Sequence, residues 1–227
     1  MIPLRDVNPR KGVPIVNIAL VVANILMFLW ELSLGPRIEG ALASLAFVPS
    51  EFFGGATAKE SVDIATSMFL HGGWLHLIGN MLYLWIFGDN IEDRMGHGRY
   101  LLFYLLCGYA AALAHAVFNP GSSLPAIGAS GAVAGVLGAY LVLFPHARVM
   151  TLIPFGLFIA MRELPAIFVL GLWFVMQLFT GVASLGVPTA QTGGVAWFAH
   201  IGGFIAGLGL VFLFRRRQER VAFPRFE

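Results

Sequence analysis

The chain has 227 residues, of which 58% are hydrophobic and 11% charged, with a mean hydropathy of +0.81. Soluble domains carry about 25% charged residues, so the composition excludes disorder, a nucleic-acid module and an ordinary soluble enzyme. A net charge of +2 is too small for a polyanion-binding surface, and a single cysteine, Cys107, excludes an intrachain disulfide framework and a multi-cysteine zinc site.

A bilayer-spanning helix needs ~20 mostly apolar residues. Residues 14–34 supply the first, interrupted only by Glu31 near its end. Arg5, Arg10 and Lys11 precede it in the manner of a signal peptide. The run is too long for one, however, and Arg37 and Glu39 separate it from the cleavage-like Ala41-Leu42-Ala43, so a retained helix is expected. Residues 35–63 hold Arg37, Glu39, Glu51, Lys59, Glu60 and Asp63. They read as a long loop, with Phe47, Phe52 and Phe53 suited to lipid contact.

Residues 64–88 contain no Asp, Glu, Lys or Arg and give a second span. The charge-free run from 100 to 147 is too long for one helix, and Asn119-Pro120-Gly121-Ser122-Ser123 breaks it into spans at 100–118 and 128–144. Residues 149–161 are apolar but short, with a Pro154-Phe155-Gly156 turn, and read as an interfacial hairpin. A second long apolar run is split by the Gly/Ser/Thr/Pro-rich stretch 183–194 into spans at 164–182 and 195–214, followed by a basic tail at 215–227. The expected fold is an all-α membrane bundle of six spans, forming a single membrane domain over residues 1–227.

Six spans put both termini on one side. That side then carries Arg5, Arg10, Lys11, Arg94, Arg99, Arg148, Arg162, Arg215, Arg216, Arg217, Arg220 and Arg225, which is 12 of the 14 basic residues; Arg37 and Lys59 lie opposite. The positive-inside rule makes the rich side cytoplasmic. The tail arginines anchor to lipid headgroups, and no nucleic-acid partner is expected.

Polar side chains inside a bilayer are costly and mark interior or cavity positions. The second span carries His71, His76 and Asn80, the fourth Ser130, and the sixth His200. Taken singly, a membrane serine usually bonds to its own backbone and a lone histidine is usually structural. Depth groups them instead. Ser130 and His200 each lie 14 residues before the end of their apolar run, roughly 21 Å above the cytoplasmic boundary at 1.5 Å per residue. His76 and Asn80 share a helical face at similar depth. Gly131/Gly135 and Gly203/Gly207 are small-xxx-small pairs that let the fourth and sixth spans approach closely.

A serine hydroxyl needs a base to become a nucleophile, and His200 can serve. The oxyanion of acyl transfer needs donors. Candidates are the Ser130 amide at a helix start, with Gly128 and Gly131 allowing close approach, and the His76 and Asn80 side chains. No acidic residue lies in the second to sixth spans to orient the histidine. A metal is not expected: His71 and His76, five apart, do not share a helical face, and no carboxylate or cysteine ligand is near. A channel or transporter would show matched broken repeats, which are absent from the sequence.

Four motifs together resemble the rhomboid family of intramembrane serine proteases: His71-x4-His76-x3-Asn80, Glu92-Asp93-Arg94-Met95-Gly96, Gly128-Ala129-Ser130-Gly131, and Ala199-His200-x2-Gly203-x3-Gly207. The resemblance implies a six-helix rhomboid bundle in which Ser130 is the nucleophile and His200 the general base. His76, Asn80 and the Ser130 amide would form the oxyanion hole. It implies cleavage of peptide bonds in or beside transmembrane segments of membrane-protein substrates, without a cofactor, in a plasma membrane of bacterial type. The alternative is a catalytically silent relative that binds membrane clients. Two departures stand out. Ala134 occupies the position, four after the serine, where members often carry an aromatic that stacks on the histidine, and the first loop has no Trp. Trp197 or Tyr140 is the expected substitute for orienting His200.

Overall fold

The computed structural model describes residues 1–54, 58–155, 158–185 and 195–216. Helix α1 (Ile15–Leu34) starts after Pro14 and stops at Gly35, whose φ of 52° suits glycine. A 3-10 turn (Gly35–Arg37), α2 (Ile38–Leu45), α3 (Pro49–Phe53) and α4 (Ala58–Ser67) follow. The long helices are α5 (Trp74–Met95), α6 (His97–Phe118), α7 (Ser130–Leu143), α8 (Ala166–Ala183) and α9 (Trp197–Phe214). Between α7 and α8 run β2 (Arg148–Phe155) and β3 (Phe158–Pro165), and β1 (Ile2–Asp6) pairs with β2 to make a three-stranded antiparallel sheet in the order β1-β2-β3.

Three expectations need correction. The molecule is mostly helical but not all-α: the segment read as a hairpin is indeed one, and it recruits the N-terminus as a third strand. Alternating Val149, Thr151 and Ile153 favour a pleated, half-buried strand, and its backbone groups outside the helices need partners. The residues read as a long loop contain the turn and three short helices. The second charge-free run is not one helix, because the chain turns over residues 68–73 and α5 begins only after Gly73. Helix α5 then continues through Asp89, Glu92, Asp93 and Arg94. Counting charges placed its end too early.

The helices α1, α6, α8 and α9 are long and apolar enough to cross a membrane; α7 is apolar but has only 14 residues. The exteriors are correspondingly apolar. On α1, Val22, Leu26, Leu29 and Leu32 are exposed, while Asn17, Asn24 and Glu31 are buried at seven-residue intervals. This is the polar-inward arrangement that lipid imposes. The Asn17 side chain bonds the Leu84 carbonyl and accepts from the Tyr100 hydroxyl, and both Glu31 oxygens accept the His71 N–H. Glu92 receives the N–H groups of Val16 and Asn17 at 2.9 and 2.7 Å, capping α1 from α5.

One end of the bundle collects the sheet and the basic segments. The Val7 N–H bonds the Arg148 carbonyl, Arg10 pairs with Asp89, and the Arg216 N–H bonds the Arg94 carbonyl. At the other end, residues 47–50 brace the approach to α7 through bonds from Ala126 to Phe47 and from Ser50 to Ser122. The tail beyond Arg216 and most of the stretch 183–194 lie outside the described residues.

Candidate active site

The site forms at the start of three helices. Ser130 opens α7, His200 lies in the first turn of α9, and His76 lies in the first turn of α5 with Asn80 one turn on. Helices α7 and α9 pack backbone to backbone. A Cβ on Gly203 would collide with the Gly131 carbonyl, and one on Gly207 with the Gly135 carbonyl. Gly131 and Gly135 turn their own bare faces mainly to α6, where a Cβ would meet Ala111 and Cys107. The expected close approach of the two helices is present, and α7 is clasped between α6 and α9.

That approach brings His200 Nε2 to 2.9 Å from Ser130 Oγ. On the other ring nitrogen, Nδ1 lies 2.8 Å from Oε1 of Gln177 in α8. The Trp173 ring lies one turn before Gln177, with its centroid 6.0 Å from that of His200 and a 38° tilt, and Trp197 stands perpendicular at 6.2 Å. Tyr140 does not orient His200. It points to the opposite end, where its hydroxyl donates to Asp6 at 2.6 Å.

The space beside Ser130 is shaped by Gly128. Its φ of 120° is a glycine conformation, and a Cβ there would lie 2.6–2.7 Å from the His76 ring and 3.6 Å from Asn80 Nδ2. The Gly72 N–H points at His76 Nδ1, 3.4 Å away, and the Nε2 edge of the ring faces Gly128. The Asn80 amide nitrogen is buried with no hydrogen-bond partner among the described residues. Buried donors are nearly always paired, and this one lines the same cavity as Ser130. The Ser130 N–H precedes the first bond within α7, which Val133 donates to Ala129.

These groups line a cavity of about 630 Å³ that Ser130, His200, His76 and Asn80 share with Trp173 and His115. His71 stands behind His76, ring edge to ring at 5.1 Å. Among the described residues no group of three or more His, Cys, Asp or Glu could hold a metal. Sequence reasoning missed Gln177, Trp173 and His115. The available signal was the one used for Ser130: each is a polar or amphipathic residue inside a charge-free run.

Helices that expose apolar flanks, bury polar stripes and enclose such a cavity define a multi-pass helical membrane protein. The chain belongs to the rhomboid family, whose Rhomboid domain model matches residues 58–217. It is 35% identical over 184 residues to the Rhomboid protease GluP of Bacillus subtilis, covering 74% of this chain and 32% of that protein. It is 28% identical over 198 residues to Rhomboid protein 1, mitochondrial, of Saccharomyces cerevisiae, covering 84% and 50%. It is also 32% identical over 152 residues to RHOMBOID-like protein 1 of Arabidopsis thaliana, covering 66% and 34%. The chain thus spans between a third and a half of the length of these relatives.

Proposed function

We propose that this protein is an intramembrane serine endopeptidase that hydrolyses peptide bonds in or next to transmembrane segments of other membrane proteins. The observation that carries the reading is the 2.9 Å approach of His200 Nε2 to Ser130 Oγ at the edge of a cavity. As Oγ attacks the scissile carbonyl, its proton passes to Nε2. The carbonyl oxygen, now negative, takes hydrogen bonds from His76 Nε2–H, the Asn80 amide and the Ser130 N–H. The imidazolium returns the proton to the leaving amine, and water from the cavity then cleaves the acyl-serine by the same base. No cofactor enters. The protease relative in Bacillus supports the reading.

In this reading the whole chain is one membrane domain with six spans. α5 joins the four long apolar helices because its charges fall in its last turns. α7 joins them although ~21 Å is short for a span, because ten of its residues, Gly131 through Tyr140, are buried by protein rather than lipid. The basic end, with residues 1–13, Arg215 and Arg216, faces the cytoplasm of a bacterial cell. The reactive end opens outward.

The test is cleavage of a transmembrane reporter by the protein reconstituted in liposomes. Wild type should cleave and Ser130→Ala should not. A membrane-client phenotype that survives intact in Ser130→Ala, with no cleavage by wild type, would instead favour the silent client-binding reading.

A further inference from the structure

The catalytic reading leaves one requirement open. For Nε2 to take a proton from Ser130, the neutral imidazole must carry its own proton on Nδ1. In a buried setting that N–H needs an acceptor. The helices α7, α8 and α9 contain no Asp or Glu, so a carboxylate cannot supply one from the elements packed on the ring. The other titratable groups that face His200 are His76 from α5 and His115 from α6.

We infer that Gln177 is the positioning residue for His200, its side-chain oxygen accepting the Nδ1–H and so holding the ring in the tautomer and orientation that make Nε2 the base. The geometry is direct: the contact is 2.8 Å, and Gln177 is only 8% exposed. Gln177 and Trp173 lie one turn apart on α8, so one helical face presents an acceptor to the ring edge and an indole beside it. This face does the work that an aromatic at position 134 would otherwise do. Ala134 itself is fully buried. A neutral acceptor also suits the site: it fixes the tautomer without adding an unpaired buried charge.

The inference rests on the protease reading, and the experiment separates the two. Cleavage of the transmembrane reporter in liposomes is measured against pH for wild type, Ser130→Ala, Gln177→Met and Gln177→Glu, with folding of each checked by thermal unfolding in detergent. Gln177→Met keeps the length of the side chain and removes the acceptor. It should lower kcat about 10-fold or more, the value of one hydrogen bond of ~1.4 kcal/mol, with KM changed less than about two-fold. Gln177→Glu restores an acceptor and adds charge, so it should recover kcat and move the acid limb of the kcat profile to higher pH, because a carboxylate beside the ring favours imidazolium. A purely structural role would leave that limb where it is. Unchanged kcat in Gln177→Met together with an unmoved acid limb in Gln177→Glu overturns the inference while Ser130-dependent cleavage stands. No Ser130-dependent cleavage in wild type overturns the protease reading itself.

Discussion

The α7–α9 seam and helix α8 are built on opposite principles, although both touch His200. In the seam, glycine replaces side chain, and backbone meets backbone. Ten of the 14 residues of α7 are buried. On α8, five of 18 are buried, and Phe168, Val175, Met176 and Phe179 are exposed. In a bilayer there is little hydrophobic drive to bring helices together, so close packing of small residues carries the association. The seam therefore sets the distance between Ser130 and His200 rigidly. α8 touches the site through a few directional contacts and otherwise faces lipid.

The sharpest way to break this contrast is to put the same side chain on each side of α9. Gly203→Leu drives a branched side chain into the Gly131 carbonyl, whereas Gly209 has no atom within 4 Å of its Cβ position. Gly203→Leu should abolish Ser130-dependent cleavage and cost about 1–3 kcal/mol or more of stability, as overpacking does. Gly209→Leu should leave both unchanged. Reporter cleavage and thermal unfolding in detergent read the difference. On α8, Gly171 likewise has open space, and Gly171→Ala should raise thermal stability slightly, by ~0.5–1 kcal/mol from helix propensity.

Asn80→Ala removes the unpartnered buried amide beside Gly128 and leaves the seam intact. Loss of one oxyanion donor typically costs 10²–10³ in kcat, and steady-state kinetics should show ~10²-fold or more with KM little changed. A change confined to KM would assign Asn80 to substrate binding. Trp173→Ala should have a smaller effect, a several-fold fall in kcat, because the indole sits 6.0 Å from the imidazole and only supports an orientation that Gln177 fixes.

At the far end the expected effect is on stability and not on cleavage. Asp6 accepts from Tyr140 and Asn90 on one carboxylate oxygen. Burial is the main cause that raises its pKa from the usual carboxylate value to about 6, with Asp89 adding to it and the Tyr140 bond opposing. The folded protein thus holds this proton more tightly than the unfolded chain. Stability should fall as pH rises from about 4 to about 6, and Asp6→Asn should flatten that slope without touching cleavage. A slope that persists in Asp6→Asn would assign it to other groups.

Much of the site was legible because intramembrane polarity is rare. Ser130, His200, His76 and Asn80 stand out in apolar runs, and counting back from the ends of those runs brings them to one level. Small-residue spacing pointed to α7 and α9 as neighbours. What stayed hidden was long-range. In the seven-residue stripe, Asn17 and Glu31 meet partners 40 to 83 positions away, and no local pattern says which. The third strand depends on pairing β1 with a hairpin about 150 residues on. The break over 68–73 escaped because charge content reports hydrophobicity and not backbone direction; the signal was Gly72-Gly73. Gln177 carried the same signal as Asn80, an amide in a charge-free run, but it belongs to none of the four motifs.

The central claim is that His200 activates Ser130, and labelling by a small fluorophosphonate tests it most directly. The probe phosphonylates a hydroxyl, with loss of fluoride, only where a base removes the hydroxyl proton. In membranes and in detergent, mass spectrometry should map the adduct to Ser130 in wild type. Labelling should vanish in Ser130→Ala and fall strongly in His200→Ala, in which the nucleophile remains but its base is gone. Full labelling of Ser130 in His200→Ala, or an adduct on another serine in the wild type, would contradict the account.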